Sequence, residues 1–110
     1  VELKDLQKQV HALAVGKGWW DKQINLPEKL CLVHSKISKA LEEYRHGTGD
    51  LRDVYEGKDG KPEGFPVELS DAVIRILDLC GWLGIDLEAE IFRKHEYNKI
   101  RPYRHGNKAC

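Results

Sequence analysis

The chain has no methionine, no excess charge of either sign and no long apolar run. Eighteen basic residues balance eighteen acidic ones. A generic nucleic-acid binder carries a basic excess, so no nucleic-acid polymer is expected as a partner. Any anionic ligand must be held by a local cluster. The lack of an apolar run of roughly 18 residues leaves no candidate membrane span. Val1-Glu2-Leu3-Lys4 do not read as a signal peptide, and a start without Met reads as processing or trimming. Only three cysteines occur, with no Cys-x-x-Cys pair. Cys31 and Cys80 fall in apolar helical patterns and read as small core residues, while Cys110 is the last residue. That usage fits a reducing cytoplasm. P-loop, nucleophile elbow, zinc spacing, internal repeat and strand pattern are all missing.

What is present reads as one all-α domain over residues 1–110. The 41% apolar and 33% charged content is that of a globular chain. Leu3, Leu6, Val10, Leu13 and Ala14 recur at helical spacing and predict a first helix from residue 2 to about 15, ended by Gly16 and Gly18. Trp19 and Trp20 follow as adjacent tryptophans on a glycine-bounded loop. One can plug a core while the other lies at an interface, or the pair can offer a flat surface for a nucleobase.

Pro27 suits the first turn of a second helix reaching about Arg45, with an apolar stripe of Leu30, Val33, Ile37, Ala40, Leu41 and Tyr44. Lys36, Lys39 and Glu43 share its polar face, and His34 sits near the apolar edge as a packing or hydrogen-bonded histidine in preference to a ligand. Residues 46–66 are rich in glycine and proline. Leu51, Val54 and Tyr55 predict one short helical turn there, and the length of the segment allows a functional lid. Pro66 begins a third helix ending between Gly81 and Gly84. Asp86 is the expected N-cap of a fourth, which stops near Lys99, before Pro102.

The third helix carries the main chemical signal. At about 100° per residue, Glu68, Asp71, Arg75 and Asp78 fall within roughly 80° of arc, opposite an apolar face. Periodicity alone accommodates a solvated charged face. The three-residue spacing of Glu68 and Asp71 also lets two carboxylates share a hard cation such as Mg²⁺. Lys94, His95, Lys99, Arg101 and Arg104 concentrate positive charge near the C-terminus. They suit the end of a helix, and with Asn98 and Tyr103 they also suit phosphate oxygens.

Four helices, Gly18-Trp19-Trp20-Asp21, His34-Ser35-x-x-Ser38, the Glu68 to Asp78 helix and the Lys94-His95-Glu96-Tyr97-Asn98-Lys99-x-Arg101-Pro102-Tyr103-Arg104-His105-Gly106 tail together resemble the MazG-like nucleotide pyrophosphohydrolases. The resemblance covers nearly the whole chain. It implies a four-helix bundle that oligomerises by helix packing as a homodimer or homotetramer. It also implies Mg²⁺-dependent hydrolysis of nucleoside triphosphates to monophosphate and pyrophosphate. Metal ligands in that family come from a Glu-x-x-Glu pair and a Glu-x-x-Asp pair. The second is present as Glu68 and Asp71. The first is replaced by Lys36 and Lys39. The nucleotide contacts it implies are Trp19, Trp20, Arg75, Lys94, Tyr97, Asn98, Arg101, Tyr103, Arg104 and His105.

A protonated lysine has no lone pair to give a metal. Three readings follow. Glu43, Glu68, Asp71 and Asp78 can form a shifted metal set, with Glu43, Glu68 and Asp71 catalytic. The lysines can instead pair with Glu68 and Asp71 in the metal's place, leaving a silent nucleotide-binding or regulatory relative. Or the chain is only a structural helical oligomer, or an active parent into which the lysines were introduced.

Overall fold

The computed structural model describes residues 2–47 and 49–110; Thr48, in the glycine-rich segment, lies outside them. The chain is mostly helical. Helix α1 (Leu3–Gly16) is followed by α2 (Leu26–His46), a hairpin of β1 (Tyr55–Glu56) and β2 (Pro62–Glu63), α3 (Phe65–Leu83), α4 (Leu87–Ile100) and a short terminal turn, α5 (Arg104–Asn107).

Local chemistry sets these boundaries. The Asn25 side chain accepts the Glu28 backbone N–H at 3.1 Å and caps α2, with Pro27 in the first turn where a missing N–H costs nothing. Asp86 accepts the Ala89 N–H at 3.1 Å and caps α4, as its position before Leu87 predicted. Gly84 ends α3 in the left-handed region at φ 71°, and the Ile85 N–H closes back onto the Cys80 carbonyl at 2.9 Å. In α5, Arg104, His105, Gly106 and Asn107 all have positive φ, so this turn is left-handed.

The segment between α2 and α3 departs from expectation twice. Leu51 and Arg52 form a hydrogen-bonded turn, held by the Asp50–Arg52 pair, and not a helical turn with Tyr55. Arg52 also holds the Asp50 carboxyl below the usual carboxylate range. Tyr55 pairs with Glu63 and Glu56 with Pro62 in an antiparallel ladder. Two-residue strands are too short to show alternation, which is why the pattern is invisible in sequence.

Helix α3 is the centre of packing, with α2 on one side and α1 on another; α4 touches only α1 to any extent. Leu77 is fully buried, joined by Ala40, Ala72, Leu79, Cys80 and Trp20. Burial raises the Cys80 thiol pKa, as for an inert core thiol. Cys31 is exposed, contrary to its expected core role, and so is His34. Helices α2 and α3, each with an apolar stripe and a charged face, could pack stripe to stripe with both charged faces turned to one cleft; instead much of each stripe stays exposed. Leu30, Ile37, Leu41 and Tyr44 of α2, with Leu69, Val73 and Ile76 of α3, remain substantially exposed. The partly buried side of α2 carries Lys29, Val33, Lys36 and Glu43 around Ala40. Small alanines let two helices approach closely, and the charged faces then meet at the seam while the apolar stripes lie along its flank.

Helix α1 crosses α3 at Gly81, where a Cβ would lie 2.6 Å from the His11 Cβ. Only a residue without a side chain permits that crossing. Gly81→Ala is expected to cost about 1–3 kcal/mol through overpacking, read as a lower denaturant midpoint at unchanged slope. An unchanged midpoint would show that the two helices separate freely.

Candidate functional site

The site begins where α1 stops. Gly18, at φ 86°, turns the chain and delivers Trp19 and Trp20 to the junction of α1, α2 and α3. Trp20 is 8% exposed and Trp19 69%. The Trp20 indole N–H donates to Asp78 Oδ1 at 2.9 Å, and the same oxygen meets His11 Nδ1 at 2.7 Å. Trp82 stacks on Trp20 with ring centroids 4.6 Å apart and planes 6° apart. Lys29 Nζ lies 4.3 Å from the Trp20 ring centroid. With Trp82 on one face and Lys29 over the ring, Trp20 has no free face for a nucleobase. Trp19 has one.

These residues border a cleft of about 350 Å³. Its charged lining is Lys17, Lys29, Lys36 and Arg75 against Asp71 and Asp78, an excess of two positive charges in a chain of zero net charge. Leu13, Ile74 and Leu79 contribute apolar wall. Lys36, largely buried at 15% side-chain exposure, places Nζ 3.5 Å from Asp71 Oδ2. Of the expected pairing of the two lysines with Glu68 and Asp71, this is the one contact formed among the described residues. Lys39 is exposed and lines neither this cleft nor the one described next.

The carboxylates expected to act together are divided. Glu43 lines a separate cleft of about 550 Å³ beneath the hairpin, with Glu42, Asp50, Asp53 and Tyr55. Its oxygens accept the Tyr55 hydroxyl at 2.9 and 3.1 Å, fastening the hairpin to α2. That hydrogen bond, with the nearby charges of Glu43, Glu63 and Glu68, pushes the Tyr55 phenol above its usual range. Like any phenol, Tyr55 is protonated at neutral pH and can donate. Glu68 lines neither cleft; its Oε2 is buried and has no partner among the described residues.

A divalent cation fits this donor set poorly. Glu68 Oε2 is one available inward-facing oxygen, but Asp78 is held by Trp20 and His11, and Glu43 by Tyr55. Asp71 is held by an ammonium, and near a surface each unit of like charge at 4 Å costs about 4 kcal/mol before screening. Among the described residues no three His, Cys, Asp or Glu side chains converge to hold a metal.

The basic tail is elsewhere. Lys94, Tyr97, Asn98, Tyr103, Arg104 and His105 are exposed, Arg101 is half-buried, and none lines either cleft. Lys94 and Arg101 lie over the Tyr97 ring, and Arg104 over Tyr103. Conversely, His11, Lys17 and Lys29 escaped the sequence reading. Lys17 and Lys29 flank the tryptophan loop, a proximity that was legible. His11 meets Asp78 across 67 residues, and no local pattern encodes that contact.

Among the described residues no helix is long and apolar enough to cross a membrane. Comparison with protein-family models, curated proteins and solved structures finds no match for the chain.

Proposed function

We propose that the chain is a MazG-like nucleotide pyrophosphohydrolase domain that binds nucleoside triphosphates and whose hydrolytic step is impaired at Lys36 and Lys39. The observation supporting this most directly is the cationic cleft, in which Lys17, Lys29, Lys36 and Arg75 border a space edged by the exposed Trp19. Charged donors suit phosphate oxygens, and the indole face suits a base. In an active relative Mg²⁺ would neutralise phosphate charge and activate the attacking water. Here the ammonium of Lys36 stands at Asp71, so a nucleotide-binding or regulatory role accords better with the donors than the shifted set of Glu43, Glu68, Asp71 and Asp78. The exposed stripes of α2 and α3, with Ile91 and Phe92 on the thinly packed α4, support assembly as a homodimer or homotetramer.

Calorimetric titration with each of the four deoxynucleoside triphosphates tests the binding role. Lys17→Ala and Arg75→Ala should each weaken affinity about tenfold, the scale of one charged hydrogen bond. Added salt should weaken it further. If no triphosphate binds or raises the melting temperature, the cleft is not a nucleotide site.

A further inference from the structure

We infer that this cleft selects triphosphate free of Mg²⁺, so that the metal antagonises binding instead of supporting it. The inference rests on the nucleotide reading just given and concerns the form of the ligand. Every charged group bordering the cleft bears on it: Lys17 just beyond α1, Lys29 and Lys36 on α2, and Asp71, Arg75 and Asp78 on α3. The carboxylates are occupied. Asp71 is paired with Lys36, and Asp78 accepts from Trp20 and contacts His11. The cations outnumber them by two. The side chains of Lys17 and Arg75 have no hydrogen-bond or ion-pair partner among the described residues, so they are available to phosphate.

A free triphosphate brings about four negative charges to these cations, and its Mg²⁺ complex about two. Chelation therefore removes half of the charge that the cations would bind. It also brings a dication into a cleft lined by Lys17, Lys29, Lys36 and Arg75. A carboxylate-lined cleft gives the opposite sign, because there the metal bridges two anions. Lys36, paired with the carboxylate best placed to receive the metal, is the residue on which that sign turns.

The experiment is titration of the full chain with one deoxynucleoside triphosphate in EDTA and in saturating Mg²⁺ at matched ionic strength, beside Lys36→Gln. In the unaltered chain Mg²⁺ should weaken affinity about threefold or more. In Lys36→Gln that ratio should shrink towards one. Tighter or equal binding in Mg²⁺ overturns the inference while leaving the nucleotide site standing. A ratio unaffected by a folded Lys36→Gln overturns the role of Lys36. If Lys36→Gln does not fold, the ratio measured on the unaltered chain decides alone. Absence of binding in both buffers removes the nucleotide reading itself, and the inference with it.

Discussion

The double variant Lys36→Glu/Lys39→Glu is expected to release pyrophosphate from nucleoside triphosphates in Mg²⁺, at a rate roughly a hundredfold or more above the unaltered chain. The argument is one of charge and of lone pairs. Each substitution replaces an ammonium, which can only donate, with a carboxylate, which can ligate. Lys36→Glu makes the seam between α2 and α3 about two units more negative, and Lys39→Glu adds about two more on the exposed surface one turn along α2. Lys36 already lies 3.5 Å from Asp71, so a carboxylate on that turn comes within reach of a shared cation. Glu68 Oε2, buried without a partner among the described residues, then gains a reason for its position. Without metal the variant should be less stable, because it gathers like charges at a partly buried seam; Mg²⁺ should restore the loss by binding only the folded form. A coupled assay on a panel of canonical and modified triphosphates, with and without Mg²⁺, reads the activity. Turnover by the unaltered chain at the same rate would mean that the lysines are not what limits it. Silence in both would remove the pyrophosphohydrolase part of the proposal.

Trp20→Ala is expected to lower stability by about 3–5 kcal/mol. Total stability of a domain this size is roughly 5–15 kcal/mol, so much of the margin is lost. Trp20 is the aromatic plug of the three-helix junction. Its removal deletes the stack on Trp82, the cation contact from Lys29 and the hydrogen bond that occupies Asp78 beside His11. Trp19, one residue earlier and 69% exposed, should behave oppositely. Trp19→Ala should change stability by no more than about 0.5 kcal/mol, yet weaken nucleotide binding. Urea midpoints and calorimetric affinities for the two variants make a crossed comparison. Equal loss of stability in both would show that Trp19 is also a structural residue and that the exposed indole face is not a binding surface.

The helices were legible in the sequence because their signals are local. Three- and four-residue spacing, Pro27 and Pro66 in first turns, Asp86 before α4 and Gly84 after α3 each act within one or two turns of chain. Of the pairing expected between Lys36, Lys39 and Glu68, Asp71, only Lys36 with Asp71 is formed; Lys39 lies exposed and Glu68 Oε2 has no partner among the described residues. Which face of each helix turns inward was not legible. Periodicity shows that α2 and α3 have an apolar and a charged side, but a half-buried helix in a small domain can present either side to one neighbour and leave the other for a second copy or for solvent. Here Ala40, Ala72, Leu77 and Leu79 are buried, while Leu30, Ile37, Leu41 and Tyr44 of α2 and Leu69, Val73 and Ile76 of α3 stay substantially exposed. The division of the acids followed from the same choice: Glu43 and Asp78 looked like members of one cluster on helical wheels, and tertiary packing gave one to the Tyr55 hydroxyl and the other to Trp20 and His11. By itself the sequence determined the four long helices, their approximate ends and the inventory of charges. The tertiary structure alone decided which of those charges face each other, because that depends on contacts between residues tens of positions apart, such as His11 with Asp78 and Lys36 with Asp71.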